Sequence, residues 1–379
     1  MDLTHSAEQL ELGAVARSLF TRECPTSLVR RLREPGSDGL APTLWQALAS
    51  AGIFGIPFEE KYGGAGAGQY ELGLVFEQAG RALCPTIVYS TMVFGIGVAR
   101  LGGDQLKSRY LPDLVEGRLR ASHATWNPSN AADLRPRLSA LRVADGWLLS
   151  GRLLFVQNAQ AVDVLMVTAR TSVHREPERT YGFLIQPGGA GWLARALMTI
   201  AHDQQNEVVL SDYFVADDAV LTGPDGTGLA EGDLAWLANS AIALQCMEMV
   251  GGTAAVIEQT VAYTKVREQF GRPIGSFQAV QHLVADMRIA LDAARLTATQ
   301  AAWWTGRGEI ANRAVAIAKM KCNEAYKWAT LNCHQLQGGM GYVLDTDLHL
   351  WSSRAKLTEL QGGTTDTAAL WLERESGLI

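Results

Sequence analysis

Cysteine is scarce and unpatterned: Cys24, Cys84, Cys246, Cys322 and Cys333 are odd in number, far apart and without C-x-x-C spacing. That excludes a disulfide framework or a zinc cluster as the organising chemistry. Proline is also rare, at 12 in 379 residues, and only 19% of residues are charged, so neither a disordered composition nor a charged tail is present. No run of Lys and Arg exceeds a pair such as Arg30-Arg31, and the net charge is −6. A chain with no basic field has little to hold a polyanion, and nucleic acid is not expected as a partner. The stretch from Met92 to Val98 is followed closely by Arg100, well short of the ~20 apolar residues that cross a bilayer. No membrane span is expected. The opening Met1-Asp2-Leu3-Thr4-His5 has no basic segment leading into an apolar one, which reads as no secretory signal and a cytoplasmic location.

What is abundant is hydrophobic patterning, at 47% of residues, in a chain about two and a half domain lengths long at ~150 residues each. Apolar residues recur at helical spacing over Ser6 to Phe20 (Leu10, Leu12, Val15, Leu19), Thr43 to Ala51 and Tyr70 to Leu83. The pattern then changes to short β-rich runs, Leu148 to Val156, Val162 to Ala169, Tyr181 to Gln186 and Glu207 to Val215, separated by turn residues. Long helical patterns return over Leu234 to Thr264, Ser276 to Gly306, Ile310 to Leu336 and Ala355 to Glu375. The expectation is an α+β fold with an N-terminal α-helical domain (1–120), a β-barrel-like middle domain (121–225) and a C-terminal four-helix bundle (226–379). Helices and strands do not alternate, which argues against a doubly wound sheet. The glycine loop Lys61 to Gly68 follows no parallel-sheet strand and is not read as a phosphate cradle. No nucleophile elbow or H-E-x-x-H spacing is present, so no metal site is expected.

Two stretches are specific. Tyr263-Thr264-Lys265-Val266-Arg267-Glu268-Gln269-Phe270-Gly271-Arg272-Pro273 runs on through Ser276-Phe277-Gln278 to Gln281-His282, and Gln335-Leu336-Gln337-Gly338-Gly339-Met340-Gly341-Tyr342 follows later. Together with the α–β–α order they closely resemble the acyl-CoA dehydrogenase family over essentially the whole chain. The resemblance implies FAD at a protomer interface, with Arg267 meeting the pyrophosphate as a planar charged donor. It further implies Gln269, Phe270 and Gln278 along the dinucleotide, and Gln335, Gly338 and Gly339 approaching from a neighbouring subunit. Thr364 is counted with the cofactor contacts. Where relatives carry a Trp-x-Thr-Asn strand end on the flavin ring, this chain has Phe155-Val156-Gln157-Asn158, and Thr125-Trp126-Asn127-Pro128 replaces a Thr-Glu-Pro-Gly-like turn. Phe155 and Gln157 are therefore the expected flavin contacts.

The reaction that the resemblance implies, oxidation of an acyl-CoA thioester to its 2,3-enoyl form, needs a carboxylate to remove the α-proton. At the position where relatives carry that Glu, before Gly-Thr, stands Gly362, and at the other family position, 26 residues before Arg267, stands Ala241, followed by Ile242. Glycine at 362 keeps its backbone N–H, a donor for a thioester oxygen, and is expected to open volume for either a bulky ring-bearing acyl group or an insertion from another chain. Glu248 is the substitute base first considered, with Asp366 and Glu359 as further acidic candidates. Three readings stay open. The chain works with a homologous subunit that supplies the carboxylate; it is a self-sufficient flavoenzyme using Glu248 or Asp366; or it is a catalytically silent structural subunit. The resemblance also implies a tetramer, a role in lipid metabolism and an electron-transfer flavoprotein as acceptor. For tetramer packing the apolar faces Ala301 to Trp304 and Ala314 to Ala318 are available, and an intramolecular core explains them equally well.

Overall fold

Helix α1 (Ala7–Glu23) starts where the sequence supplies a capping box: Gln9 N–H donates to Ser6 Oγ at 3.2 Å, and Ser6 N–H to Gln9 Oε1 at 2.9 Å. In the computed structural model, which describes residues 4–34, 36–171 and 178–375, it is followed by α2 (Thr26–Leu32), α3 (Pro42–Ser50), α4 (Gln69–Arg81), α5 (Thr86–Leu101) and α6 (Asp104–Val115). Helix α5 is apolar all round and buried along almost its whole length, as expected of a helix with no polar face.

Strands follow: β1 (Ala121–Ala124), β2 (Leu138–Val143), β3 (Gly146–Gln157), β4 (Val164–Thr171), β5 (Thr180–Ile185), β6 (Trp192–Leu197), β7 (Gln205–Ala216) and β8 (Val220–Leu221). They form one eight-stranded sheet in the order β6-β7-β3-β2-β4-β5-β8, with β1 added parallel to β4. Leu138, Leu149, Val167, Phe183, Val208 and Leu210 make its buried core. The sequence pattern finds β3, β4, β5 and β7 and passes over β6, whose residues are half-buried or exposed without clean alternation.

The C-terminal helices are α7 (Glu231–Val266), α8 (Gln278–Gly306), α9 (Asn312–Gln337), α10 (Leu348–Leu360) and α11 (Thr365–Glu375). The expected single helix from Ala355 to Glu375 is two helices. Gly362 (φ +77°) and Gly363 (φ +136°) break it with left-handed backbone, which a residue with a side chain adopts only under strain. Among the described residues the region thus holds α7 to α11. Helix α7 is long and apolar enough to cross a membrane by length and composition, and nearly all of its apolar stretch is buried inside the protein, as in a core helix.

The chain groups into two units that cut across the segments read from sequence. One holds 1–29, 70–84 and 242–379; the other holds 30–69 and 85–241. In the first, α4 lies directly on α7: a Cβ at Gly80 would strike the Glu248 carbonyl, and one at Gly251 the Glu77 carbonyl. Arg295 on α8 adds an ion pair to Glu77 at 2.9 Å. In the second unit α5 is tied to β1 by Ser90 Oγ and Thr91 Oγ1, each donating to the Ala121 carbonyl at 3.0 Å. The glycine loop Lys61 to Gly68 folds back on its own neighbours, with Ala65 N–H on Gly55 O and Gly66 N–H on Phe58 O.

Candidate active site

The break between α10 and α11 places Gly362 beside α7. Behind it runs a buried polar chain. Lys319 on α9, fully buried, donates from Nζ to Gln245 Oε1 at 2.8 Å and to the Thr358 carbonyl near the end of α10. Gln245 Nε2 in turn donates to Gln361 Oε1 at 2.9 Å, next to Gly362. The lysine thus satisfies one of the carbonyls that the end of α10 leaves unpaired. Burial lowers the Lys319 pKa to about 8, because the ammonium form loses its hydration.

No space opens at Gly362. A Cβ there would overlap Ile242 Cδ1 and come 3.8 Å from Gln245 Oε1, so the volume expected from the glycine is filled by Ile242. Ala241 is buried, and its carbonyl accepts from Tyr89 Oη at 3.0 Å. Neither family position for the base carries a carboxylate.

The substitute acids are otherwise engaged. Glu248 is buried in an ion pair with Arg354, Oε1 to Nη1 3.3 Å, which holds its charge against a cation rather than against a substrate proton. Burial alone would raise the Glu359 pKa, but hydrogen bonds from Lys356 and Lys327 outweigh that and leave the carboxyl below its ordinary value. Asp366 is exposed in the first turn of α11, where an acid complements the positive end of a helix. Thr364 caps the same helix: its Oγ1 accepts from Thr367 N–H at 3.3 Å.

The residues expected on the dinucleotide stand on exposed backbone at the ends of the long helices. After α7 a two-residue antiparallel hairpin pairs Gln269 with Arg272 and Glu268 with Pro273. Phe270 at its tip has φ +55° and is 93% exposed. Arg267 is exposed and makes no ion pair among the described residues; Gln269 and Gln278 are exposed beside it in sequence. At the end of α9, Gln335, Gly338 and Gly339 are exposed, and a Cβ at either glycine would meet nothing within 4 Å. Gln337 Nε2, bonded to Thr260 Oγ1 at 2.9 Å, ties that end of α9 to α7. Two exposed surfaces, one after α7 and one at the end of α9, thus stand at the ends of long helices.

In the sheet-bearing unit, β3 slips against β7: Leu153 pairs with Val208 and Val156 with Asn206, leaving a bulge at Leu154 and Phe155. A bulge re-aims a side chain, and Phe155 at φ +54° is turned outward, 52% exposed. Gln157 is buried at the strand end, its carbonyl accepting from Ser122 Oγ at 2.6 Å. Thr125 Oγ1 is buried and has no hydrogen-bond partner among the described residues. The cofactor reading of the sequence left out Thr125, although it opens the altered turn. Lys319 and Gln245 were also missed; their signal was a Lys and a Gln inside otherwise apolar helix stretches.

Residues 6–118 match the family model described as acyl-CoA dehydrogenase, N-terminal domain, and residues 235–376 that described as acyl-CoA dehydrogenase, C-terminal domain. The L-prolyl-[peptidyl-carrier protein] dehydrogenase of Serratia is 28% identical over 352 residues, covering 89% of each chain. Among solved structures, the ChsE4-ChsE5 complex from Mycobacterium tuberculosis aligns over 100% of both chains with a TM-score of 0.89 and 26% identity. PigA with FAD and proline aligns equally completely, with a TM-score of 0.89 and 25% identity. With both domain models matched and full-length likeness on each side, the chain belongs to the acyl-CoA dehydrogenase family.

Proposed function

We propose that this chain is an FAD-binding acyl-CoA dehydrogenase subunit that lacks the proton-abstracting carboxylate and works with a homologous subunit that carries one. The observation behind it is the buried Gly362–Ile242 contact at the family's base position, with Ala241 at the other. The existence of a ChsE4-ChsE5 complex among its structural likenesses supports a pairing of two related chains.

The residues fit FAD. Among the described residues Thr125 has a buried hydroxyl without a partner and Arg267 an exposed guanidinium without an ion pair, and Phe155 has an outward aromatic face. When bound, FAD supplies the hydride acceptor for the β-carbon of the thioester. Thr125 and Gln157 would meet its polar ring edge and Phe155 its face. Arg267, Gln269, Phe270 and Gln278, together with Gln335, Gly338 and Gly339, would hold the dinucleotide of a neighbouring subunit. The Gly362 backbone N–H would polarise the thioester oxygen, while the α-proton leaves to a carboxylate of the partner. Acyl-CoA substrate, lipid metabolism, a tetrameric assembly, an electron-transfer flavoprotein as acceptor and a cytoplasmic location complete the proposal.

The test is anaerobic mixing of the FAD-loaded chain with straight-chain, branched and ring-bearing acyl-CoAs and a prolyl carrier-protein thioester, followed by flavin absorbance. Flavin that stays oxidised until the homologous subunit is added supports the reading. Bleaching by the chain alone overturns it.

A further inference from the structure

We propose that Ile242 is a specificity-determining residue of this site: the pair Ile242 and Gly362, and not the glycine alone, decides whether position 362 accepts a side chain and with it a base. The inference deepens the base-lacking reading above and rests on it. The apolar end of Ile242 occupies the direction in which any side chain at 362 must leave the backbone, since a Cβ built there overlaps Cδ1 and lies 3.5 Å from Cγ1. Both residues are buried, Ile242 with only 2% of its surface exposed, so the overlap is not relieved into solvent.

The wall beside it is pinned. Ile242 and Gln245 are three residues apart on α7 and so share one face, and both approach Gly362. Gln245 is held on two sides, by Lys319 Nζ and by Gln361 Oε1. Retreat of Gln245 would leave a buried ammonium short of an acceptor, which is strongly unfavourable. Ile242 itself is β-branched and stiff at χ1, so its Cδ1 is the one atom there that can swing. An acyl thioester seated against this turn meets a methyl group where relatives present a carboxylate, and the α-proton has no acceptor within this chain. A carboxylate placed at 362 by substitution therefore needs Cδ1 of residue 242 swung aside or trimmed away.

A double-mutant cycle on the full FAD-loaded chain tests this, with Gly362→Ala made in the native and in the Ile242→Val background. Ile242→Val removes only the overlapping Cδ1. The left-handed backbone strain of the alanine is present in both arms and cancels, leaving the overlap as the difference. The drop in melting temperature caused by Gly362→Ala is expected to shrink by half or more in the Ile242→Val background. Equal drops would overturn the proposal.

A second arm reads chemistry. Gly362→Glu combined with Ile242→Ala is expected to let acyl-CoA bleach the flavin of the chain alone, whereas Gly362→Glu by itself leaves the flavin oxidised. Equal bleaching by both overturns the proposal. Bleaching by the unaltered chain would instead sink the base-lacking reading, while the melting cycle would still report on Ile242.

Discussion

Glu248 Oε1 and Arg354 Nη1 stand 3.3 Å apart with only about a tenth of either side chain exposed, and Arg354 Nη2 donates to the Cys84 carbonyl at 2.8 Å. The carboxylate that the sequence offers as a stand-in base is thus one half of a buried ion pair joining α7 to α10. Removing one member of such a pair leaves the other charge buried and uncompensated, a loss of about 3 kcal/mol or more. Glu248→Gln is expected to lower the denaturant midpoint accordingly, and adding Arg354→Met to recover part of the loss. Flavin bleaching by the complex with the homologous subunit should keep its rate. A Glu248→Gln chain of native stability whose complex no longer bleaches would make Glu248 the base.

Phe155 carries a testable strain. Its φ of +54° sits in the bulge of β3, and a left-handed non-glycine residue costs about 1–2 kcal/mol. Phe155→Gly relieves that strain but adds about 0.5–1 kcal/mol of backbone entropy loss on folding, so the stability of the FAD-free chain should change by no more than about 1.5 kcal/mol. FAD affinity should fall roughly tenfold, because the outward aromatic face is gone. Titration of apoprotein with FAD, beside a melting curve without it, separates the two effects. Unchanged FAD affinity would mean that Phe155 is strained for some other reason.

The α–β–α order was legible in the sequence because periodicity carries it, and so were the exposed segments at the ends of α7 and α9, which local motifs mark. Arg267, Phe270 and Gln335 lie on exposed turns at helix ends, where local residues dictate geometry. Three things were not legible. The break between α10 and α11 hides in Gly362-Gly363, which reads as a minor interruption until left-handed backbone at both positions is seen. Closure of the base position depends on Ile242, 120 positions away in sequence, and no periodicity reports which buried methyl faces which glycine. Separation in sequence also hid Lys319, whose acceptors on α7 and α10 lie 74 and 39 positions away.

Arg267 isolates cofactor binding from folding. Its guanidinium is exposed and makes no ion pair among the described residues, so Arg267→Ala should leave the melting temperature of the FAD-free chain unchanged. Loss of a charge-assisted hydrogen bond of about 1.5–3 kcal/mol corresponds to roughly a 10- to 150-fold weaker Kd for FAD. Arg267→Lys keeps the charge but not the fork, and should recover only part of the affinity. Equal FAD binding by all three chains would remove Arg267 from the site.

His123 makes a prediction about acid. On β1 it packs against Trp126, ring centroids 4.5 Å apart, and both ring nitrogens are sealed from solvent without a hydrogen-bond partner among the described residues. Burial lowers its pKa to about 3. Between that value and the ~6.5 of an unfolded histidine, the unfolded chain binds the proton and the folded chain does not. Falling pH therefore draws the equilibrium toward unfolding, by about 2 kcal/mol at pH 5 from this residue alone. Because pH 5 is far above the folded value, that figure depends on the unfolded pKa and hardly on how deeply the folded one is depressed. His123→Phe keeps a ring against Trp126 and removes two unsatisfied nitrogens. Denaturant midpoints at pH 7 and pH 5 should show the native chain losing more stability than His123→Phe over that interval. Equal losses would mean that the imidazole takes up its proton inside the fold.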